Sequence, residues 1–306
     1  MSATLVSDAV VAAVLRRRPM HRRFLKSALA NLTSDEVAEA ERYMSFFLSE
    51  GETIDSLTEA YLLIVEDTFR ETVRFKKTGR YRFSTFAEAQ AAVYDNADYM
   101  HGYMTGLAIS SFWWLNHVRL RRFFTDQLRT LSALGGLYRE VGPGHGIYFI
   151  DALRSGAFDA YEGVDVSSTS IALTGRLLSA NENRDLPPAR LIHADFLLAK
   201  DLQPANVLVM GEVLEHVESP SKFLTRSYET TTPNGRVYLT TCIDAPAIDH
   251  LYNPASILAL ETLFNDHGFG VVARCELGQD GLPLEDCARD RLTINVGYVL
   301  AKLAAL

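Results

Sequence analysis

Through residues 1–130 apolar positions recur at intervals of three and four, the spacing that lines one face of an α-helix. Val37, Met44, Phe47 and Leu48 do so just after Asn31-Leu32-Thr33-Ser34-Asp35-Glu36, whose side chains are suited to cap a helix start. Strand signals are nearly absent in this half. From Leu137 the pattern changes: short apolar runs (Leu137–Val141, Tyr161–Val164, Arg190–His193, Asn206–Met210, Arg236–Thr240) alternate with helical stretches. That alternation predicts an α/β unit with a doubly wound, mostly parallel sheet covered by helices. Near the end, Gly270–Glu276 and Leu292–Leu300 are two strand-like runs joined by a polar loop, which predicts a terminal hairpin. The expected domains are therefore an all-α unit over 1–130 and a sheet unit over 131–306, with no internal repeat.

Composition narrows the classes. The 306 residues are 48% hydrophobic and carry a formal net charge of −8, so a nucleic acid would meet a repulsive average field. The basic clusters Arg16–Arg18 and Arg119–Arg122 read as solvated helix ends. Cys242, Cys275 and Cys287 form neither a CxxC pair nor an even framework, which fits a reducing cytoplasm. Ala9–Leu15 precedes its arginines, the reverse of a secretion signal, and no stretch approaches the ~20 apolar residues of a membrane span. A cytoplasmic protein acting on a small molecule is expected, with neither nucleic acid nor membrane as partner.

The candidate chemistry begins at Leu137-Tyr-Arg-Glu140-Val-Gly142-Pro-Gly144-His-Gly146, where three glycines follow a strand and precede a helix, so that backbone can approach a ligand closely. A dinucleotide turn, GxGxxG, would need its third glycine at position 147, which is Ile147. Asp165 ends the second strand, where a carboxylate can accept both hydroxyls of a ribose. Asp195 closes the third, Leu191–Asp195, within reach of an adenine amino group. Either aspartate alone would more often be a helix cap.

These residues resemble successive motifs of the class I S-adenosylmethionine-dependent methyltransferases: Glu140-Val-Gly-Pro-Gly-His-Gly146, Gly163-Val-Asp165-Val-Ser167, His193-Ala-Asp195-Phe196 and Gly211-Glu-Val-Leu-Glu-His-Val217, in order, across roughly 137–300. The resemblance implies a seven-stranded sheet with a reversed last strand, in agreement with the hairpin. It also implies that Glu140, Gly142, Gly144 and Gly146 flank the methionine portion of the donor, Asp165 the ribose and Asp195 the adenine, with Phe196 stacking; Val166 and Glu212 complete the set.

Methyl transfer from a sulfonium is an in-line displacement, so alignment and exclusion of water come first and a base is needed only for some nucleophiles. Candidates follow the fourth strand, where Glu212 and Glu215 or His216 would share a helical face, and the fifth, where Asp249 and His250 would pair as a carboxylate-oriented base. ExxEH at Glu212, Glu215 and His216, with His250, also resembles the metal-binding set of small-RNA 2′-O-methyltransferases and, in part, of ubiquinone-pathway O-methyltransferases. That resemblance implies a divalent ion lowering a bound hydroxyl's pKa. Two imidazoles with two carboxylates suit zinc, iron or cobalt at least as well as magnesium. The alternative is that Glu215 and His216 cap a helix and touch the donor.

The most aromatic stretch is Tyr99–His117, which reads as a core joining the two halves or as a pocket wall in which Tyr103, Trp113, Trp114 and His117 suit an apolar acceptor. The reading is a methyltransferase of natural-product metabolism, its acceptor free or borne on a carrier protein; a homodimer is compatible with it. The rivals are a nicotinamide-dependent oxidoreductase, against which the missing glycine argues, a cofactor-binding scaffold without turnover, and an RNA methyltransferase, against which the charge argues.

Overall fold

The computed structural model describes residues 5–303; the outermost residues of the two expected domains, 1–4 and 304–306, lie outside it. Helices fill the first part: α1 (Val6–Arg17), α2 (Arg22–Leu29), α3 (Ser34–Ser49), α4 (Ile54–Thr78), α5 (Phe86–Ala89), α6 (Ala97–Trp113) and α7 (Leu115–Leu131). The caps follow from the sequence. Thr33 accepts the Glu36 amide while the Glu36 carboxylate accepts the Thr33 amide, a capping box that opens α3, and Thr53 with Ser56 does the same for α4. Gly79, at φ +70°, closes α4 in the left-handed conformation. At Gly106 an added Cβ would lie 2.2 Å from the Ala60 carbonyl oxygen, so glycine is what lets α6 cross α4 this closely.

The alternation after Leu131 forms β1 (Leu137–Val141), α8 (Ile147–Ser155), β2 (Ala160–Asp165), α9 (Ser168–Ser179), β3 (Ala189–His193), β4 (Ala205–Gly211), α10 (Pro220–Glu229), β5 (Thr231–Ile243), α11 (Ile257–Asp266), β6 (Phe269–Gly278), α12 (Leu284–Asp290) and β7 (Ile294–Lys302). The strands make one seven-stranded sheet in the order β3-β2-β1-β4-β5-β7-β6. β7 alone is reversed, antiparallel to both β5 and β6. The chain order switches direction between β1 and β4, and there the carboxyl ends of neighbouring strands open a crevice. Val141 stands beside both Val164 and Met210, so the residues that follow these three strands gather on one rim.

One expectation fails in the terminal hairpin. The connection between β6 and β7 contains a helix, α12, because Glu285 and Asp286 in its first turn suit the positive end of the helix dipole and Arg289 pairs with Asp286 at 2.7 Å.

The two parts share a core. One apolar cluster runs from Val10 in α1 through Phe112, Trp113 and Phe124 to Tyr238 and Val299 in the sheet. Phe124 stacks on Tyr148 and meets Tyr238 edge-on. A second cluster, with Leu208, Leu239, Phe264 and Tyr298, fills the other face of the sheet. Arg16–Arg18 are exposed at the end of α1, as expected, with Arg17 and Arg18 paired to acids of α4, but Arg119–Arg122 is not a solvated end: Arg121 binds Asp151 of α8 through two bonds of 2.7 and 2.8 Å, and Arg122 binds Glu36.

Candidate active site

The turn after β1 is built on backbone. Gly142 and Gly144 adopt φ of +68° and +54°, and a Cβ on Gly144 would project into open space, with the Met104 sulfur 3.6 Å away as its nearest contact outside the turn itself. The Gly144 amide donates to one Asp165 oxygen at 3.2 Å and the Ser167 amide to the other at 2.8 Å. Burial pushes the Asp165 carboxyl up to about 6, with these amides pulling it back down. Glu140, buried at the end of β1, is pushed up to about 8 by burial, against the hydrogen bond it accepts from Tyr138 at 2.6 Å. Gly146 stands apart: it precedes α8 at φ +80° and an added Cβ would meet Leu177 and Thr174 of α9, so it serves helix packing.

Asp195 does not close a strand. β3 stops at His193, and Asp195 instead accepts the Leu197 amide at 2.8 Å in a tight turn, where it lines a cavity with Val166 and the buried Phe196.

After β4 the chain departs from helical spacing. Glu212 takes φ +53° and donates its amide to Thr240, and only Leu214–His216 coil, as a single 3₁₀ turn. Glu212 therefore shares no helix face with Glu215 or His216. Both glutamates are close-packed against each other's charge: burial, then the charge of Glu215, pushes the Glu212 carboxyl well above the usual range. The Glu215 carboxylate accepts the Thr241 hydroxyl at 2.8 Å, and its second oxygen, like one of Glu212, is buried without a partner.

Asp249 pairs with His216, at 3.2 Å from Nδ1, and not with the adjacent His250, whose Nδ1 lies 2.6 Å from the Ala245 carbonyl. The reason is the loop 244–253: the Leu251 and Tyr252 amides donate to the Glu215 carbonyl, stitching the loop to the 3₁₀ turn and setting Asp249 beside His216. Burial opposes charge on the His216 imidazole, but the Asp249 carboxylate outweighs it and raises the group to about 9. Burial likewise works against the Asp249 anion, yet His216 holds it well below the usual carboxylate range. His250, edge-on to His216 at 4.7 Å, is lowered by burial and by the charge on its neighbour.

The metal quartet expected from Glu212, Glu215, His216 and His250 is not assembled. Two other groups have donor atoms within 4.8 Å of one another, Glu215 with Cys242 and His250, and His216 with Asp249 and His250. Glu212 belongs to neither group although its carboxylate lies against Glu215, and His216 spends Nδ1 on Asp249. As a set of four, the expected ligands do not meet that spacing among the described residues.

All of these groups face one cavity of about 770 Å³. Its sheet wall carries Glu140, Gly142, Gly144, Asp165, Val166 and Asp195; its helical wall carries Tyr94, Tyr103, Met104, Leu107, Trp114 and His117. Trp113 is not part of this wall: it is fully buried against Tyr61, since at that helical position it points away from the sheet crevice. His117 and His145 are held neutral, pushed down to about 4 and about 3 by burial, His145 further by the neighbouring His117 and Arg121. The residue that sequence reasoning missed is Tyr94, whose hydroxyl donates to Asp249 at 2.9 Å. Nothing in the spacing around it marks it, because its partner lies 155 residues away.

Comparison with known proteins adds the following. The sequence profile of a family described as a methyltransferase domain matches residues 117–273, just over half of the chain. No curated protein matches the chain significantly in sequence. Among solved structures, a protein proposed to be a sarcosine dimethylglycine methyltransferase, from Galdieria sulphuraria, is similar with a TM-score of 0.50 at 10% identity, covering 61% of this chain and 86% of that one. N-methyltransferase NodS from Bradyrhizobium japonicum, in complex with S-adenosyl-L-homocysteine, gives 0.43 at 14% identity over 59% and 87%. Magnesium protoporphyrin IX methyltransferase from Synechocystis, with bound S-adenosylmethionine, gives 0.45 at 15% over 60% and 81%. The first of these likenesses shows the fold.

Proposed function

The chain belongs to the class I S-adenosylmethionine-dependent methyltransferases, and from that premise we propose that it methylates an acidic hydroxyl, phenolic or enolic, of a small and mostly apolar acceptor. The observation that carries the proposal is His216, held on Asp249 where the donor wall meets the apolar chamber.

The residues on the sheet wall fit the donor. Bare backbone at Gly144 leaves room for its methionine portion, Asp165 keeps lone pairs free beside its two amide bonds for the ribose hydroxyls, and Asp195 with Phe196 borders the place of the adenine. When bound, the donor supplies a methyl group already activated on a sulfonium. What remains for the chain is to align the acceptor, worth ~7–11 kcal/mol as effective molarity, and to manage one proton, worth about 10²–10⁴ in rate.

His216 manages the proton. Where His216 has first given its own proton to solvent, Nε2 takes the proton of the acceptor hydroxyl with Nδ1 on Asp249; where it still holds that proton, the imidazolium pairs with an acceptor that binds as its oxyanion. A group raised to about 9 rests protonated at neutral pH, so it favours acceptors acidic enough to bind as the anion. Met104, Leu107 and Trp114 line the chamber with apolar surface. A net charge of −8 and a mostly apolar cavity support a small natural-product acceptor, free or carrier-borne, over a nucleic acid.

The test is calorimetry with S-adenosylmethionine and S-adenosylhomocysteine, followed by turnover on matched panels of phenols, enols and amines. Turnover confined to the amines overturns the hydroxyl assignment, and no heat with either ligand overturns the donor site.

A further inference from the structure

Asp249 is almost fully buried, and no donor within its own loop serves its carboxylate. It is met instead by three hydrogen-bond donors from distant parts of the chain: His216 Nδ1 and the Tyr94 hydroxyl at 3.2 and 2.9 Å on Oδ2, and the Tyr103 hydroxyl at 3.0 Å on Oδ1. We propose that Tyr94 and Tyr103 are positioning residues of the transfer, two phenols supplied by the helical half that lock the Asp249 carboxylate so that His216 keeps its aim into the cavity. The proposal rests on the methyl-transfer reading for what His216 does, and on geometry for what the tyrosines do.

With a donor on each oxygen, the carboxylate cannot turn about its last bond without breaking a bond in a site too dry to replace it. His216 alone would leave that rotation open. The two tyrosines reach Asp249 by different routes. Tyr103 projects from the middle of α6 and is stacked on Tyr99, whose own hydroxyl is fixed on Asp67. Tyr94 closes a wide π turn, Gln90–Tyr94, whose signature is the bond from the Asp95 amide back to the Gln90 carbonyl at 2.9 Å. Such turns insert one residue into a helix and re-aim a single side chain, which is why they recur at functional sites.

Tyr94 also lies where the two ligands meet. It borders Val166 and Ser167 at the ribose end of the sheet rim, its hydroxyl is 3.5 Å from His216 Nδ1, and Phe86 packs on its ring. A residue in that place links the donor wall to the proton-handling pair, so the helical half completes the site and does not only cover it.

Tyr94→Phe and Tyr103→Phe keep both rings and remove only the hydroxyls. Each variant, and the double variant, is compared with the wild-type chain by S-adenosylhomocysteine calorimetry, by nitrogen-correlated NMR of the His216 side chain, identified by its loss in His216→Gln, and by turnover on the best phenol of the panel. We expect homocysteine-product affinity within twofold of wild type, a His216 Nδ1–H signal that broadens or shifts in each single variant and vanishes in the double, and a kcat lower by about ten- to a hundredfold with the donor KM unchanged. A His216 signal unaltered in both single variants overturns the proposal, as does a loss confined to donor KM. Should the double variant unfold, the single variants carry the same comparison. Failure of the wild-type chain to bind the product would instead overturn the methyl-transfer reading, and the NMR comparison would still decide the role of the tyrosines.

Discussion

Asp165 accepts two backbone amides and lines the cavity, so removing its carboxylate would take away the ribose contact proposed for it. Asp165→Ala is expected to weaken S-adenosylhomocysteine binding by roughly 1.5–3 kcal/mol, the range for hydrogen bonds to a charged group, about ten- to a hundredfold by calorimetry. The second expectation concerns pH. Reaction needs one proton fewer than the resting site holds, since His216, raised to about 9, carries a proton at neutral pH. On a phenol less acidic than this group, kcat/KM should therefore climb with a slope near one from pH 7 toward about 9. Asp249→Asn removes the charge that sustains the imidazolium and leaves burial, which lowers the group, in command; the rising limb should move to lower pH while its plateau falls by at most about 10²–10⁴. A wild-type profile flat over this range would remove His216 from the proton transfer. The places of Asp165, Gly142 and Gly144 on the sheet rim were legible in the sequence because a strand end, a turn and a carboxylate at the next strand end are local patterns, whereas Gly146 turned out to serve helix packing. The partner of Asp249 was not: adjacency suggested His250, and the actual bonds to His216, Tyr94 and Tyr103 come from residues brought together only by folding.

At the scale of elements, all seven strands were legible because each contains a short apolar run between turn residues, and the reversed β7 was implied by the family resemblance and agrees with the terminal hairpin. Two elements were misread for one reason, that spacing alone does not fix backbone conformation. ExxEH has helical spacing, but the left-handed Glu212 breaks the turn before it can start a helix; the polar stretch before β7 looked like a loop, but its acids and Arg289 suffice for two turns of α12. The crossing of α4 and α6 offers a test at this level, because α6 carries Tyr103 and its distance from α4 depends on Gly106. Gly106→Ala would place a methyl group 2.2 Å from a backbone oxygen, so the helices must separate. We expect a loss of about 1–3 kcal/mol, as for overpacking, seen as a lower Tm, together with a fall in turnover larger than the fall in product affinity. An unchanged Tm would mean that the crossing relaxes freely.

Over the whole molecule the change from helices to sheet was legible as a change of period near residue 130, yet the period says nothing of how the two parts are joined. They are joined by a continuous apolar cluster and by Arg121, which sits nearly buried between Asp151 of α8 and Glu39 of α3. Removing this buried cation leaves Asp151 unpaired, while Glu39 keeps Arg42 and Arg154; breaking a buried pair costs about 3–5 kcal/mol, whereas the same pair at a surface would be worth under about 1 kcal/mol. Arg121→Ala therefore distinguishes a welded assembly from two domains in loose contact. If helices and sheet form one cooperative unit, the wild-type chain unfolds in a single calorimetric transition and the variant in a single transition at lower temperature. If the helices were a separate domain, the variant would show two transitions, with product binding lost only at the upper one. The first outcome is expected, because Asp249 on the sheet side takes two of its three hydrogen bonds from the helices, and the site cannot outlast the contact that builds it.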